Sequence, residues 1–170
     1  MTLHFAPFEI PMAEALVPMW RESFEHGVGI VDSHPIDEQR AYLIDCVLPE
    51  HDVTVALQGD RIVGFVASNA VSVSQRFVRV GCHGQGIGRA LLRCAMAASA
   101  GSLWLYTFAR NARARRFYES NGFVAVAFSF EPIWQLDDVR YEWQRRRITE
   151  ATDPACVNSP DRSLRPPREH

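Results

Sequence analysis

Three glycines at alternate positions, Gly84, Gly86 and Gly88, separate the apolar run Phe77-Val78-Arg79-Val80 from an amphipathic segment, and they limit this chain more than any other feature. Beyond them Ile87, Leu91, Cys94, Ala95 and Ala98 recur at helical spacing, with Arg89 and Arg93 on the opposite face. The sequence therefore predicts a strand, a glycine loop and a helix start. The first turn of a helix has free N–H groups and a partial positive charge. Glycines let backbone approach a ligand closely and adopt positive φ. Together these make an anion site suited to a pyrophosphate. A strand-to-helix turn in which the glycines only cap is the other reading of the same residues. Two familiar phosphate loops are excluded. No G-K-[ST] is present, and Arg follows Gly88 where a dinucleotide loop needs a different spacing. No acid lies between Asp60 and Glu119 to hold a ribose.

The rest of the chain reads as alternating elements. Leu3 to Phe8 is a strand, and Met12 to His26 is a helix with Ala13, Leu16, Val17, Trp20 and Phe24 as its apolar stripe. Gly27-Val28-Gly29 ends it, and a second helix runs from Ile36 to Leu48, stopped by Pro49. Asp52 to Leu57 and Arg61 to Ala70 form a hairpin around Gln58-Gly59-Asp60, and Val71 to Val80 is a further strand. After the loop helix come a strand Leu103 to Thr107, a helix Ala112 to Ser120, a strand Phe123 to Phe130, and a last strand in which Val139, Tyr141 and Trp143 alternate. Parallel and antiparallel strands with helices on both faces give a single α/β domain.

The second informative segment is Asn111 followed by Phe117-Tyr118-Glu119-Ser120-Asn121-Gly122-Phe123. Asn111 and Tyr118 are seven residues apart, two helical turns, and so share a face. In this order and spacing, the glycine loop, the Asn and the Tyr resemble the GNAT superfamily of acyl-CoA-dependent N-acyltransferases, over roughly residues 3 to 146. The resemblance implies a mixed, splayed β-sheet with helices on both faces. It also implies acetyl-CoA as co-substrate and no metal. The cofactor would be held by Val78, Arg79 and Val80 on the strand, by Gly84, Gln85, Gly86, Ile87, Gly88 and Arg89 in the loop, and by Asn111. Main-chain groups of Val78 and Val80 would pair with pantetheine. Tyr118 would be the catalytic acid that protonates the departing thiolate. Each has a plainer reading. Asn is a preferred helix N-cap, and Tyr118 falls on an apolar stripe with Ala114 and Phe117. Arg110, Arg113, Arg115 and Arg116 could face phosphates or form a solvated basic face. The sequence departs from the family pattern at His83, where Gln or Arg is usual, and at Val80-Gly81, where many members have Pro-Asp.

Composition supports one soluble domain. The chain has 170 residues, and 47% are hydrophobic. The net charge of −2 gives no basic field for nucleic acid or anionic membrane. All eighteen basic residues are Arg, which carries no mechanism. Cys46, Cys82, Cys94 and Cys156 are widely spaced and read as reduced thiols, which suits a cytoplasmic protein. The start of the chain lacks a basic stretch and a long apolar run. The longest mainly apolar stretch, Ile62 to Val73, is shorter than the about 20 residues a membrane helix needs. Residues 1–148 are expected to be the domain, and 149–170, with four prolines and no periodicity, a disordered tail. The chain could act alone or as a homodimer.

Direct transfer to an amine also needs a base, because a free amine titrates near about 10. Weak candidates for acceptor contact are His26, Asp32 and His34 around the Gly27 to Pro35 loop and Gln75 on the strand, with Glu131 a further one. Any of them could as well be a surface residue. The expected activity is transfer of an acetyl group to a primary amine, a small molecule or an N-terminus. The alternatives are a non-catalytic acyl-CoA-binding regulator and a protein lysine acetyltransferase.

Overall fold

The computed structural model describes residues 2–147; the tail read as 149–170, including Cys156, lies outside the described residues. Strand β1 (Leu3–Pro7) leads through a 3₁₀ turn (Ile10–Met12) into α1 (Ala13–Val28) and α2 (Ile36–Tyr42). Then follow β2 (Asp52–Gln58), β3 (Arg61–Ser68), β4 (Val73–Val78), α3 (Ile87–Ala98), β5 (Ser102–Phe108), α4 (Ala112–Ser120), β6 (Val124–Glu131) and β7 (Leu136–Gln144). The element order is the expected one, and the differences have local causes. Helix α1 runs past Gly27 and stops at Gly29, which takes a left-handed φ of 76° while its N–H caps the Glu25 carbonyl. The expected second helix is α2 continued by a π-helical turn, Leu43–Val47. Strand β4 is shorter than the Val71 to Val80 expectation. The Asn69 side chain accepts from Val71 N, Ser72 N and Ser72 Oγ, which curls the backbone before Val73. At the other end the Arg79 carbonyl accepts from Cys82 N, and Gly81 has φ 86°. Val80 therefore sits in a turn, not in the strand.

The strands form two antiparallel sheets, ordered β1-β2-β3-β4 and β5-β7-β6. The expected parallel component is reduced to one bridge, Ser72 to Trp104, between β4 and β5. Trp104 N donates to the Val71 carbonyl at 3.0 Å there. Beyond this bridge the two strands are no longer paired, so a gap opens between them toward the glycine loop. This is the physical form of the splay.

Each face of the sheets carries a core. On one side Leu91, Leu92 and Ala95 of α3 and Tyr118 of α4 pack on Val66, Val78, Leu103, Leu105 and Tyr141. On the other, Leu16 and Trp20 of α1 pack with Leu43, Val47, Val55 and Phe65. Strand β3 lies between them and is buried from Ile62 to Ser68, which is why it reads as an unbroken apolar run rather than alternating.

Gly64 marks the tightest point of that strand. A Cβ there would stand 2.8 Å from the Phe77 carbonyl oxygen and 3.0 Å from Leu91 Cδ1. The first of these is backbone of β4 and cannot swing aside. Gly64→Ala is therefore expected to push β3 from β4 and lower stability by about 1–3 kcal/mol, read as a reduced midpoint in thermal or urea unfolding. An unchanged midpoint would mean that the sheet accommodates the methyl group without parting.

Candidate functional site

The gap between β4 and β5 opens into a cleft of about 950 Å³ that runs from the glycine loop to the α1–α2 loop and the β6–β7 turn. Its size is in the range of ligand clefts, about 300–1,000 Å³. At one end lies the loop. Gly84 and Gly86 have φ of 78° and 80°, and Gly86 is the N-cap of α3. Such angles cost little only for glycine. Gly88 is already helical and serves differently. A Cβ on it would lie 2.8 Å from Arg76 Nη1, so its lack of a side chain gives the Arg76 guanidinium its place.

His83, Gly84, Gly86, Ile87, Gly88 and Arg89 line the cleft, as do Val78 and Asn111. Gln85 is turned aside, its Oε1 accepting from Gln58 Nε2 at 3.3 Å. Arg79 is also directed away. Its Nε donates to the Ile62 carbonyl at 2.7 Å and its N–H to the Val63 carbonyl at 2.8 Å. Main-chain groups alternate in direction along an antiparallel strand. With Arg79 facing β3, the main chain of Val78 faces the gap. Val80, past the strand end, does not line the cleft.

Asn111 is the N-cap of α4, its Oδ1 accepting from Ala114 N at 3.1 Å. That leaves the amide Nδ2 directed toward Gly27 of α1, where a Cβ would come within 3.1 Å of it. Capping thus fixes the Asn111 side chain at the cleft rather than competing with a place there. Tyr118, two turns on, is 6% exposed. Its ring packs on Phe117 (5.4 Å), Phe123 (5.5 Å) and Tyr141 (6.1 Å). Helix α4 is pinned at this point because the Tyr141 hydroxyl donates to Glu119 Oε1 at 2.7 Å and accepts from Arg115 Nε at 3.2 Å. Burial and then the Glu119 carboxylate push the Tyr141 phenol above its ordinary value of 10.0, so it stays a donor. Arg115 is thereby drawn to the core edge, and of the four arginines around α4 only Arg113 lines the cleft.

The Tyr118 hydroxyl has a partner that the sequence did not indicate. Arg76 Nε donates to it at 3.0 Å, with the guanidinium carbon 3.9 Å from the Phe117 ring centre and 5.0 Å from that of Tyr118. Arg76 shares a face of β4 with Val78, the face toward α3 and α4. The phenol oxygen is thus an acceptor for Arg76, and its own proton is free to point into the cleft.

Gln75 and Phe77 take the other face of β4, toward α1. Here the acceptor-side candidates divide. Asp32 and His34 come together, with His34 Nδ1 at 2.7 Å from Asp32 Oδ1 and the His34 N–H donating to the same oxygen at 3.0 Å. Arg21 Nη2 stands 3.3 Å from Asp32 Oδ2, and Arg21 also donates to Gln39 Oε1 and the His34 carbonyl. The Asp32 side chain is 9% exposed and that of His34 50%. Burial opposes the Asp32 charge, but the His34 N–H and ring and the Arg21 guanidinium outweigh it and hold the carboxyl below its ordinary value of 3.8. An ionised Asp32 makes Nδ1 of His34 the donor, so in the neutral ring Nε2 is the acceptor. His26 is elsewhere. It stacks on His83 with ring centres 6.4 Å apart, beside the glycine loop. Gln75 and Glu131 line the cleft, and Glu131 Oε2 accepts from Trp134 N at 2.6 Å.

Among the described residues no group of three His, Cys, Asp or Glu side chains could hold a metal ion, and no helix is long and apolar enough to cross a membrane.

A family model described as an acetyltransferase (GNAT) domain matches residues 49–125, from the start of β2 into β6. No curated protein matches the sequence. Solved structures share the fold. Apo YjaB from Escherichia coli has a TM-score of 0.68 at 23% identity, covering 86% of this chain and 100% of that one. PaiA N-acetyltransferase from Thermoplasma acidophilum, solved in complex with coenzyme A, has 0.69 at 17%, covering 85% and 99%. YncA from Salmonella typhimurium, a putative acetyltransferase solved with acetyl-CoA, has 0.67 at 16%, covering 86% and 96%.

Proposed function

We propose that this chain is an acetyltransferase of the GNAT family, whose domain model matches residues 49–125, and that it moves the acetyl group of acetyl-CoA directly to a primary amine, with Tyr118 as general acid and the Asp32–His34 pair as general base. The observation that carries this reading is one continuous cleft that begins at a glycine-rich helix start, passes the Tyr118 hydroxyl and ends at a buried carboxylate paired with a histidine. The free N–H groups at the start of α3 suit the pyrophosphate. Asn111 Nδ2 and the Val78 main chain suit the pantetheine arm.

The amine arrives as an ammonium ion and gives a proton to Nε2 of His34, held in place through Nδ1 by Asp32. The neutral nitrogen attacks the thioester carbonyl carbon, and a C–N bond forms. The carbonyl oxygen takes the negative charge, which a main-chain N–H facing the gap would stabilise. When the oxygen's electron pair returns, the C–S bond breaks and its electrons leave on sulfur. Tyr118 gives its hydroxyl proton to that sulfur. The attacking nitrogen, cationic once the C–N bond has formed, sheds its second proton, which returns to the phenolate facing the Arg76 Nε–H, and His34 releases the first proton to solvent. The products are the N-acetylated amine and free coenzyme A. A cytoplasmic setting would suit a domain whose cysteines are free among the described residues.

Thiol release from acetyl-CoA, followed with a panel of amines, amino acids and peptides, tests the reading. Amine-dependent release is expected. Tight coenzyme A binding without release from any acceptor would make this a non-catalytic acyl-CoA-binding protein.

His83 gives the site a pH dependence. Burial first, then Arg113, His26 and Arg76, keep its ring below the ordinary value of 6.5. The contribution of the neutral ring to stability is complete above 6.5 and is lost as pH falls below it. A pyrophosphate in the loop reverses the local charge and favours the protonated ring. Coenzyme A affinity is thus expected to rise as pH falls from about 8 to 6, with proton uptake in calorimetry. In His83→Gln the protein contribution should vanish. Equal pH profiles in both proteins would leave His83 with no part in phosphate binding.

A further inference from the structure

We propose that the acceptor end of the cleft takes an amine that carries an aromatic ring and no carboxylate, an arylalkylamine. This inference rests on the transferase reading above and names its acceptor class.

Two features of that end carry it. The first is an aromatic wall assembled from four elements around Phe24 of α1. Its ring centre is 5.0 Å from Trp134, 6.1 Å from Phe108 and 6.4 Å from Phe77. In a sealed core such a cluster would be buried. Here all four rings are half-buried and line the cleft. A wall of this kind offers edges and faces to a flat apolar group and to the cation beside it. An amine with a short aliphatic chain would leave most of that surface wet.

The second feature is the distribution of charge along the cleft. The cofactor end has Arg76, Arg89 and Arg113 with the free N–H groups of α3, and the acidic side chains lie at the other end. Glu131 and Asp138 flank Trp134 on the β6–β7 hairpin, and both are half-buried cleft residues. Glu131 uses Oε2 for the Trp134 N–H. Arg21, the guanidinium behind the α1–α2 loop, is already committed to Asp32, Gln39 and the His34 carbonyl. An ammonium group finds carboxylates and aromatic faces. An amino acid would bring its own carboxylate against Glu131 and Asp138, and among the described residues that line this end of the cleft the guanidinium of Arg21 is already committed. The cleft rejects by charge repulsion as well as selecting by fit.

The test uses the full chain and has two readouts. Thiol release at fixed acetyl-CoA is compared for 2-phenylethylamine, tryptamine, n-butylamine, phenylalanine and an alanyl peptide. Calorimetric titration of 2-phenylethylamine into the coenzyme A-loaded protein measures binding without turnover. The aromatic amines are expected to lead by about tenfold or more in kcat/KM. They should bind with an affinity that falls severalfold in Glu131→Gln with Asp138→Asn, variants that keep the shape and remove the charge, while coenzyme A affinity stays constant. The inference is overturned if n-butylamine, phenylalanine or the peptide is the best acceptor, or if 2-phenylethylamine does not bind. Binding of 2-phenylethylamine with no thiol release from any amine would uphold the acceptor class and sink the transferase reading instead.

Discussion

Replacing Tyr118 by Phe is expected to lower kcat by about 10²-fold or more and to leave coenzyme A affinity where it was. The ring is the part of Tyr118 that holds the fold. It is packed among Phe117, Phe123 and Tyr141, and Phe fills the same space. The hydroxyl is the part that faces the cleft, where its one described partner is the Arg76 Nε–H. Its loss leaves Arg76 without that acceptor, but Arg76 is only half-buried and lines the cleft, so water can replace the oxygen and the melting temperature should move little. A proton delivered to a departing thiolate matters in the transition state and not in the bound ground state, so the loss belongs in kcat and not in binding. Thiol release at saturating amine, set beside calorimetric coenzyme A binding, separates the two. Equal turnover in the two proteins would return Tyr118 to the core and leave the thiolate to depart unaided.

The sequence carried the parts of this site that are local. A glycine loop and the helix after it are one continuous stretch, as are Asn111 and Tyr118 on α4, so spacing alone is enough to find them. The Asp32–His34 pair is also local, an i to i+2 contact through an Asx turn, but only its two residues were picked out, since nothing in the spacing shows which ring or carboxylate turns inward. Arg76 was missed because its role is made by tertiary structure. In Val73-Ser74-Gln75-Arg76-Phe77-Val78 it reads as a polar residue on a half-exposed strand. Pairing of β4 with β3 decides that it faces α4, and the fold then brings it to Tyr118 across 42 positions. The sign available in the sequence was its place on the Val78 face of the strand before the loop. The aromatic wall was hidden for a similar reason. Phe24 reads as one step of an α1 stripe, and Phe77 and Phe108 as strand apolar positions. Their common exposure to a cleft follows from the parting of β4 and β5 after a single bridge. The reach of the strand before the glycine loop was overestimated because Val71 and Val80 prolong the apolar positions Val73, Phe77 and Val78 past both of its ends. The turns at Asn69 and Gly81, made by a side-chain acceptor and a positive φ, set its real ends.

Gly86→Asp should abolish most coenzyme A binding while the protein still folds. Gly86 has φ 80° and ψ 0°, and no heavy atom lies within 4 Å of a Cβ built on it. The new side chain therefore has room, and the cost is the left-handed backbone, about 1–2 kcal/mol for an ordinary residue and less for Asp or Asn. The position is also the N-cap of α3, where an Asp carboxylate can accept from the N–H groups of the first turn and is favoured by the helix dipole. Both effects that help the variant to fold work against the ligand. The carboxylate occupies the donors that a pyrophosphate needs and sets a negative charge against it, and like charges forced together cost several kcal/mol. A loss of about 10²-fold or more in affinity is expected, since each tenfold corresponds to about 1.4 kcal/mol. Gly86→Asn carries the same backbone strain and a similar cap without the charge, so its loss should be clearly smaller. Circular dichroism melts establish that both variants are folded before calorimetry is read. If folded Gly86→Asp binds coenzyme A as the parent does, the glycine loop is only a turn into α3, and the cofactor must be held from elsewhere along the cleft.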